Sequence, residues 1–263
     1  MGKVIVISSG KGGVGKTTTT ANIGAGLASK GFKVVLMDTD IGLRNLDVVM
    51  GLENRIVFDL VDVVEGQCKL KQALIKDKRY DGLYLLPAAQ TKDKTAVTPE
   101  QMKELKEELK KEFDYVLVDC PAGIEQGFRN AVIGAEKAIV VTVPEVSAVR
   151  DADRIIGMIA ASEISDIKLV INKIRYDMVK SGDMLSIDDT LDILGVKLLG
   201  IVPEDENIIK SSNMGEPVVK NPNAPAGKAY DNIVRRILGE DVPVVFEEEA
   251  KGLFGAFKKL FSK

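Results

Sequence analysis

The stretch "SSGKGGVGKTTTT" (Ser8–Thr20) gathers four glycines and two lysines into one short loop. Within it, "GKGGVGKT" (Gly10–Thr17) fits the phosphate-loop pattern G-x-x-x-x-G-K-[ST]. The apolar run "KVIVIS" (3–8) precedes it, and an Ala/Gly-rich helix ending near Ser29 is predicted to follow, which is the setting this motif requires. Glycine lets successive backbone N–H groups converge on phosphate oxygens without a Cβ in the way. The first turn of the helix adds a partial positive charge. Gly10, Lys11, Gly12, Gly13, Val14, Gly15, Lys16, Thr17 and Thr18 are therefore the candidate ATP-binding residues. Lys16 is expected to reach the β and γ phosphates, and the Thr17 hydroxyl to ligate Mg²⁺. One lysine already serves the phosphates, so Lys11 needs another role or is simply a solvated loop residue.

Outward from the loop, apolar runs of strand length recur: 3–8, 33–38, 83–87, 115–119, 138–143, 167–172 and 197–203. They are continuous rather than alternating, as strands covered on both faces are. Helices are predicted between them. "TPEQMKELKEELKKE" has Thr98 placed to cap, Pro99 in the first turn and Gln101 three residues after the cap. Residues 147–162 and 224–239 carry apolar side chains at helical spacing. This alternation predicts an α/β fold, a doubly wound, mostly parallel sheet flanked by helices. The expected organisation is an ATPase domain over 1–240, a linker over 241–250 and a tail helix over 251–263.

Composition narrows the chemistry. The chain has no histidine, which removes His-based triads, His-ligated metals and His proton shuttles together. Its two cysteines, Cys68 and Cys120, have no paired spacing, so neither a disulfide framework nor a zinc knuckle is expected and a reducing cytosol is the default. A net charge of −3 argues against a protein that coats nucleic acid over its whole surface. No signal peptide is expected, because Lys3 is followed only by "VIVIS" before the glycine loop.

Carboxylates are expected to complete the site. "LMDTDIGLRNLD" (36–47) ends a strand with Asp38 and Asp40, which face the same crevice as the loop, and either could orient water or hold the metal shell. "YVLVDCPAG" (115–123) puts Asp119 after four apolar residues, an arrangement that holds Mg²⁺ through water. "VINK" (170–173) ends another strand with Asn172, whose amide can pair with an adenine edge. "IVPED" (201–205) ends the next, where Pro203 is placed to wall the base.

With the KGGVGKT loop in view, the chain resembles the deviant-Walker-A ATPases. The resemblance implies that Lys11 reaches across a nucleotide-sandwich homodimer to the partner's phosphates, so that it joins Lys16 and Asp40 as a catalytic residue. It implies that Asp40 aligns the attacking water and helps hold the metal, and that a switch loop follows. In an iron–sulfur relative, paired subunits share cluster cysteines; no second cysteine here has matching spacing, and Cys120 reads as a small packed residue. "DIGLRNLDVVMG" (40–51), "QALIKDKR" (72–79), "PAGIE" (121–125), "PEVSAVRDADRI" (144–155), "GDMLS" (182–186) and "GEPV" (215–218) resemble the division-site members of the family. The resemblance then implies reversible attachment to the inner face of the cell membrane and a role in selecting the division-septum site. It implies a MinC-like septation inhibitor as partner and leaves room for a MinE-like activator.

The last segment, "KGLFGAFKKLFSK" (251–263), bears on this separately. On a helix Leu253, Phe254, Phe257, Leu260 and Phe261 fall within an arc of about 120°. Lys251, Lys258, Lys259 and Lys263 lie outside that arc. This is the pattern of a helix lying in a membrane interface over anionic lipid. The alternatives are a DNA-partitioning ATPase of the same family, whose tail would be an ordinary docked helix, a small-molecule kinase and an iron–sulfur carrier.

Overall fold

The computed structural model describes residues 2–93, 95–123 and 126–244. Among the described residues eight strands form one sheet: β1 (Lys3–Ser8), β2 (Val34–Asp38), β3 (Ile75–Lys76), β4 (Leu83–Leu86), β5 (Tyr115–Asp119), β6 (Lys137–Thr142), β7 (Asp166–Ile174) and β8 (Lys197–Pro203). Their spatial order is β3-β4-β2-β5-β1-β6-β7-β8. Every pairing is parallel except that of β3 with β4. The helices are α1 (Lys16–Ser29), α2 (Leu46–Val49), α3 (Leu60–Val64), α4 (Leu70–Ala73), α5 (Pro99–Glu112) and α6 (Gln126–Val132), followed by α7 (Val146–Ala161), α8 (Tyr176–Ser181), α9 (Ile187–Leu194), α10 (Glu206–Asn213) and α11 (Pro225–Ile237).

The continuous apolar runs have the expected cause. Val4 and Val6 of β1 pack into one core layer with Leu105 and Leu109 of α5 and Val149 and Ile155 of α7. Ile5 and Ile7 pack into the other, with Ile23 and Leu27 of α1 and Tyr230 and Ile233 of α11. Each buried side chain of this size contributes about 1.5–3 kcal/mol, so both faces of the sheet hold it in place. The start of α5 is the reciprocal cap its sequence calls for, with Gln101 N donating to Thr98 Oγ1 at 3.3 Å and Thr98 N to Gln101 Oε1 at 2.9 Å.

Two features depart from the sequence pattern. β3 is a two-residue antiparallel edge, too short to leave an alternation in "QALIKDKR". β7 runs past Asn172 to Ile174 through an irregular register with β8, and Lys173 there takes a left-handed φ of 54°. The expected linker is described only at 241–244, and the expected tail helix over 251–263 lies outside the described residues. Among the described residues no helix is long and apolar enough to cross a membrane.

Strand order reverses direction of travel on either side of β1, so the crevice beyond its C-terminal end is the switch point of the sheet. The glycine loop leaves β1 there.

Candidate active site

The sheet register assembles the acidic side of the site. Asp119 of β5 pairs in register with Ile7 of β1 and with Asp38 of β2, so both carboxylates lie level with the root of the loop. Asp119 then organises the first turn of α1. Lys16 Nζ lies 2.9 Å from Asp119 Oδ1, Thr20 Oγ1 donates to the same oxygen at 2.9 Å, and Thr17 Oγ1 donates to Oδ2 at 2.8 Å. The Thr39 hydroxyl donates to the Asp119 carbonyl at 2.7 Å and ties β2 to the same point.

Asp38 faces the other way. Its Oδ1 accepts from Asp40 N at 2.9 Å, and its Oδ2 accepts from Asn45 N and Leu46 N at 3.2 and 3.1 Å. It therefore folds the segment carrying Asp40 back over the crevice. Burial, then the nearby Asp119 charge, pushes the Asp38 carboxyl up to about 7. Burial pulls the Lys16 ammonium down, but the charge and hydrogen bond of Asp119, with Cys120 and Asp38 behind them, more than reverse this and hold it above its ordinary value.

The loop is braced from β7. Gly15, with φ of 93°, begins α1, and a Cβ there would lie 2.2 Å from Asn172 Nδ2, so only glycine fits. Asn172 Nδ2 donates to Val14 O at 2.8 Å, and Lys173 Nζ donates to Gly13 O at 2.8 Å. The Asn172 Oδ1 is buried with no hydrogen-bond partner. Gly10 lies against the backbone of Asp151 in α7. Lys11 turns toward the same helix, its Nζ 3.1 Å from Ser147 Oγ and 3.6 Å from Glu145 Oε2, with its side chain 45% exposed.

These parts border one cavity of about 640 Å³, lined by Lys11, Gly12, Gly13, Gly15, Lys16, Thr17 and Thr18 of the loop, with Asp40 on the facing wall. Its size suits a ligand such as a nucleotide. At the β8 end the lining comes from Glu204 and Asp205, directly after Pro203, and from Ile208, Ile209, Ser212 and Asn213 of α10. Sequence reasoning missed α10, whose only signal is its cap: Asp205 Oδ1 accepts from Asn207 N at 2.9 Å. It also missed Lys173, whose place in the site depends on the kink in β7. Among the described residues no three His, Cys, Asp or Glu side chains converge to cage a metal. The oxygen donors present, Thr17 Oγ1 beside Asp119 Oδ2, fit Mg²⁺, which keeps waters and takes substrate phosphates as ligands. Cys120 is buried, as its packed role required.

A phosphate loop at the switch point of a parallel sheet, with a strand-end aspartate holding both the loop lysine and its threonine, defines a P-loop nucleoside triphosphatase. Residues 2–173 match the family described as an AAA domain. The septum site-determining protein MinD of Bacillus subtilis is 63% identical over 264 residues, spanning 99% of this chain and 98% of that protein. The MinC:MinD cell division protein complex of Aquifex aeolicus contains a chain 49% identical with a TM-score of 0.87, over 93% of this chain and 99% of that one. MinD from Pyrococcus horikoshii, complexed with Mg-ADP, is 32% identical with a TM-score of 0.81, over 90% and 96% of the two chains. The chain belongs to the MinD family of septum site-determining ATPases.

Proposed function

We propose that this ATPase binds ATP with Mg²⁺ at the loop, dimerises around it, and as a dimer attaches to the inner membrane surface, where it recruits a septation inhibitor. The observation that carries the catalytic part is that Lys16 and Thr17, both held by Asp119, line one cavity together with Asp40. Lys16 supplies the ammonium for the β and γ phosphates, and the loop amides supply the rest of the cradle. Thr17, with Asp119 through water and Asp40 nearby, would hold the metal, which when bound neutralises charge on the phosphates. Asp40 orients the attacking water. Asn172 Oδ1 is an acceptor waiting for a donor, and an adenine amino group is one, with the end of β8 at Pro203 as the adjoining wall. The Mg-ADP held by the Pyrococcus horikoshii relative supports this reading.

For dimerisation the support is Lys11, which lines the cavity mouth with its ammonium beside Glu145 and Ser147 and its side chain 45% exposed. A cation there can serve a partner's phosphates. The Aquifex aeolicus complex supports a MinC-like protein as the recruited inhibitor, and a MinE-like activator is a further candidate partner.

Membrane attachment rests on the 251–263 sequence. Full burial of each of Leu253, Phe254, Phe257, Leu260 and Phe261 would give about 1.5–3 kcal/mol. Interfacial burial is partial, and ordering a segment with Gly252 and Gly255 costs about 1 kcal/mol extra per glycine, so one tail holds weakly. Two tails on one dimer raise avidity by about 10²–10⁴. ATP thereby switches attachment on, and membrane in turn favours the dimer. Cosedimentation with anionic vesicles tests this. The protein should pellet with ATP and stay in solution with ADP, and Phe257→Glu should abolish pelleting. Equal pelleting in both nucleotides overturns the reading.

A further inference from the structure

Two walls of the nucleotide cavity, α2 and α10, come from segments far apart in sequence, yet their far ends meet. Gly51, just after α2, and Gly215, just after α10, approach so closely that a Cβ on Gly215 would lie 2.5 Å from Gly51 Cα. One side chain spans this joint. Arg79 Nη1 donates to Gly215 O at 2.6 Å, and Nη2 donates to Met50 O. Its Nε and Nη2 grip the two oxygens of buried Asp77 at 3.0 and 2.7 Å. The guanidinium fork is thus committed in three directions at once, a geometry an ammonium cannot reproduce. Lys220 Nζ packs 4.0 Å from the Tyr80 ring and donates to Arg79 O at 3.3 Å, steadying the clamp from behind.

Each wall is also fixed at its other end. Asp38 holds the start of α2 through Asn45 N and Leu46 N and holds Asp40 through its amide. Asp205 caps α10 and, through Oδ2, accepts from Ala226 N at 3.0 Å. A continuous set of bonds therefore runs from α10, through Gly215, Arg79 and Met50, to α2, Asp38 and Asp40.

We infer that Arg79 is a positioning residue for ATP hydrolysis: it makes the α10 wall and the Asp40 segment move as one, so that nucleotide lodged against α10 sets the segment that faces the γ phosphate. This rests on the nucleotide reading above. The physical basis is that Met50 O is the C-cap carbonyl of α2, which needs a donor, while Gly215 lies directly after the C-cap of α10, so that one guanidinium ties the ends of both helices. Arg79, Met50 and Gly215 are not among the residues lining the cavity.

Hydrogen exchange of the full chain with ADP separates the possibilities, because ADP has no γ phosphate to touch Asp40 directly. In the unaltered protein ADP should slow exchange in the loop at residues 12–18, in α10, and also in 40–50. The variant is Asp77→Asn with Arg79→Gln, which leaves no buried carboxylate stranded. In it, protection of 12–18 should persist, whereas the ADP-induced protection of 40–50 should fall about tenfold. kcat should fall by a similar factor while the ADP Kd changes less than about threefold. Loop protection reports nucleotide binding, and protection at 40–50 reports the clamp. Undiminished ADP protection of 40–50 in the variant, or none in the unaltered chain, overturns the inference.

Discussion

Lys16 Nζ and Asp119 Oδ1 lie 2.9 Å apart with both side chains almost wholly withdrawn from water. Neither charge could stay there alone. Breaking such a pair from one side strands the other ion, at a cost of about 3–5 kcal/mol. Asp119→Ala should lower the stability of the nucleotide-free protein by about that amount, since Thr17 and Thr20 lose their acceptor as well. Asp119→Asn should cost less, because an amide oxygen still accepts. Thr20→Val, which removes one hydrogen bond, should cost about 1 kcal/mol. Thermal unfolding ranks the three. Phosphate release should fall about a hundredfold or more in both Asp119 variants.

Lys11 sits across from Glu145 and Ser147 on an exposed surface, where such a pair contributes little to the fold. Lys11→Ala should therefore leave the unfolding free energy of the nucleotide-free chain within about 0.5 kcal/mol of the parent. Self-association on ATP addition, followed by light scattering, should be lost. A variant that still doubles its mass with ATP would remove the cross-subunit role.

Asp38 makes the nucleotide-free protein sensitive to pH. Its folded pKa, about 7, lies above its ordinary value of 3.8, so folding takes up a proton. The stability this proton gives is fully present below about pH 4 and is lost as pH rises through about 7. Over that window the unfolding free energy should decline by at most about 4 kcal/mol from this group. Urea titrations at intervals from pH 4.5 to 7.5 should show the decline in the parent and a flatter profile in Asp38→Asn.

The parts of this molecule that follow from local chemistry were legible in its sequence. The strands on which Asp38 and Asp119 ride are covered on both faces and so read as unbroken apolar runs, and the loop between β1 and α1 has a composition that few other jobs require. Pro99 and Thr98 mark a helix start by their own covalent and hydrogen-bonding limits. What escaped reading depends on long-range contact. Lys173 enters the site because β7 is irregular, and nothing in "VINK" announces a left-handed lysine. Arg79 is an ordinary charged residue in "KDKR" until the fold brings Met50 and Gly215 to it. The Lys11 contact with α7 has the same origin, since Glu145 and Ser147 are more than a hundred residues away.

Lys106 is a buried lysine on the far side of the Asp119 strand. It is fully enclosed, and among the described residues no ion pair includes it. Its Nζ donates instead to Asn130 O, Ala131 O and Ile133 O at 2.9, 2.6 and 2.7 Å, closing the open carbonyls at the end of α6. Burial pulls its pKa down to about 7, only weakly opposed by Cys120, whose own thiol burial holds at about 12 and therefore neutral. Folding thus favours the uncharged amine. The stability this gives is present above the ordinary lysine value of 10.5 and is lost as pH falls through about 7. The slope is opposite in sign to that of Asp38 and lies in a higher window. Lys106→Met keeps most of the stem and removes the donor. At pH 9, where the parent carries a neutral amine whose two N–H groups still serve two of the three carbonyls, the substitution should cost about 2–4 kcal/mol. At pH 6 the parent must bury a charge, so the same substitution should cost measurably less. Urea unfolding of both proteins at the two pH values checks this, and an identical difference at each would mean that the ammonium is no burden to the fold.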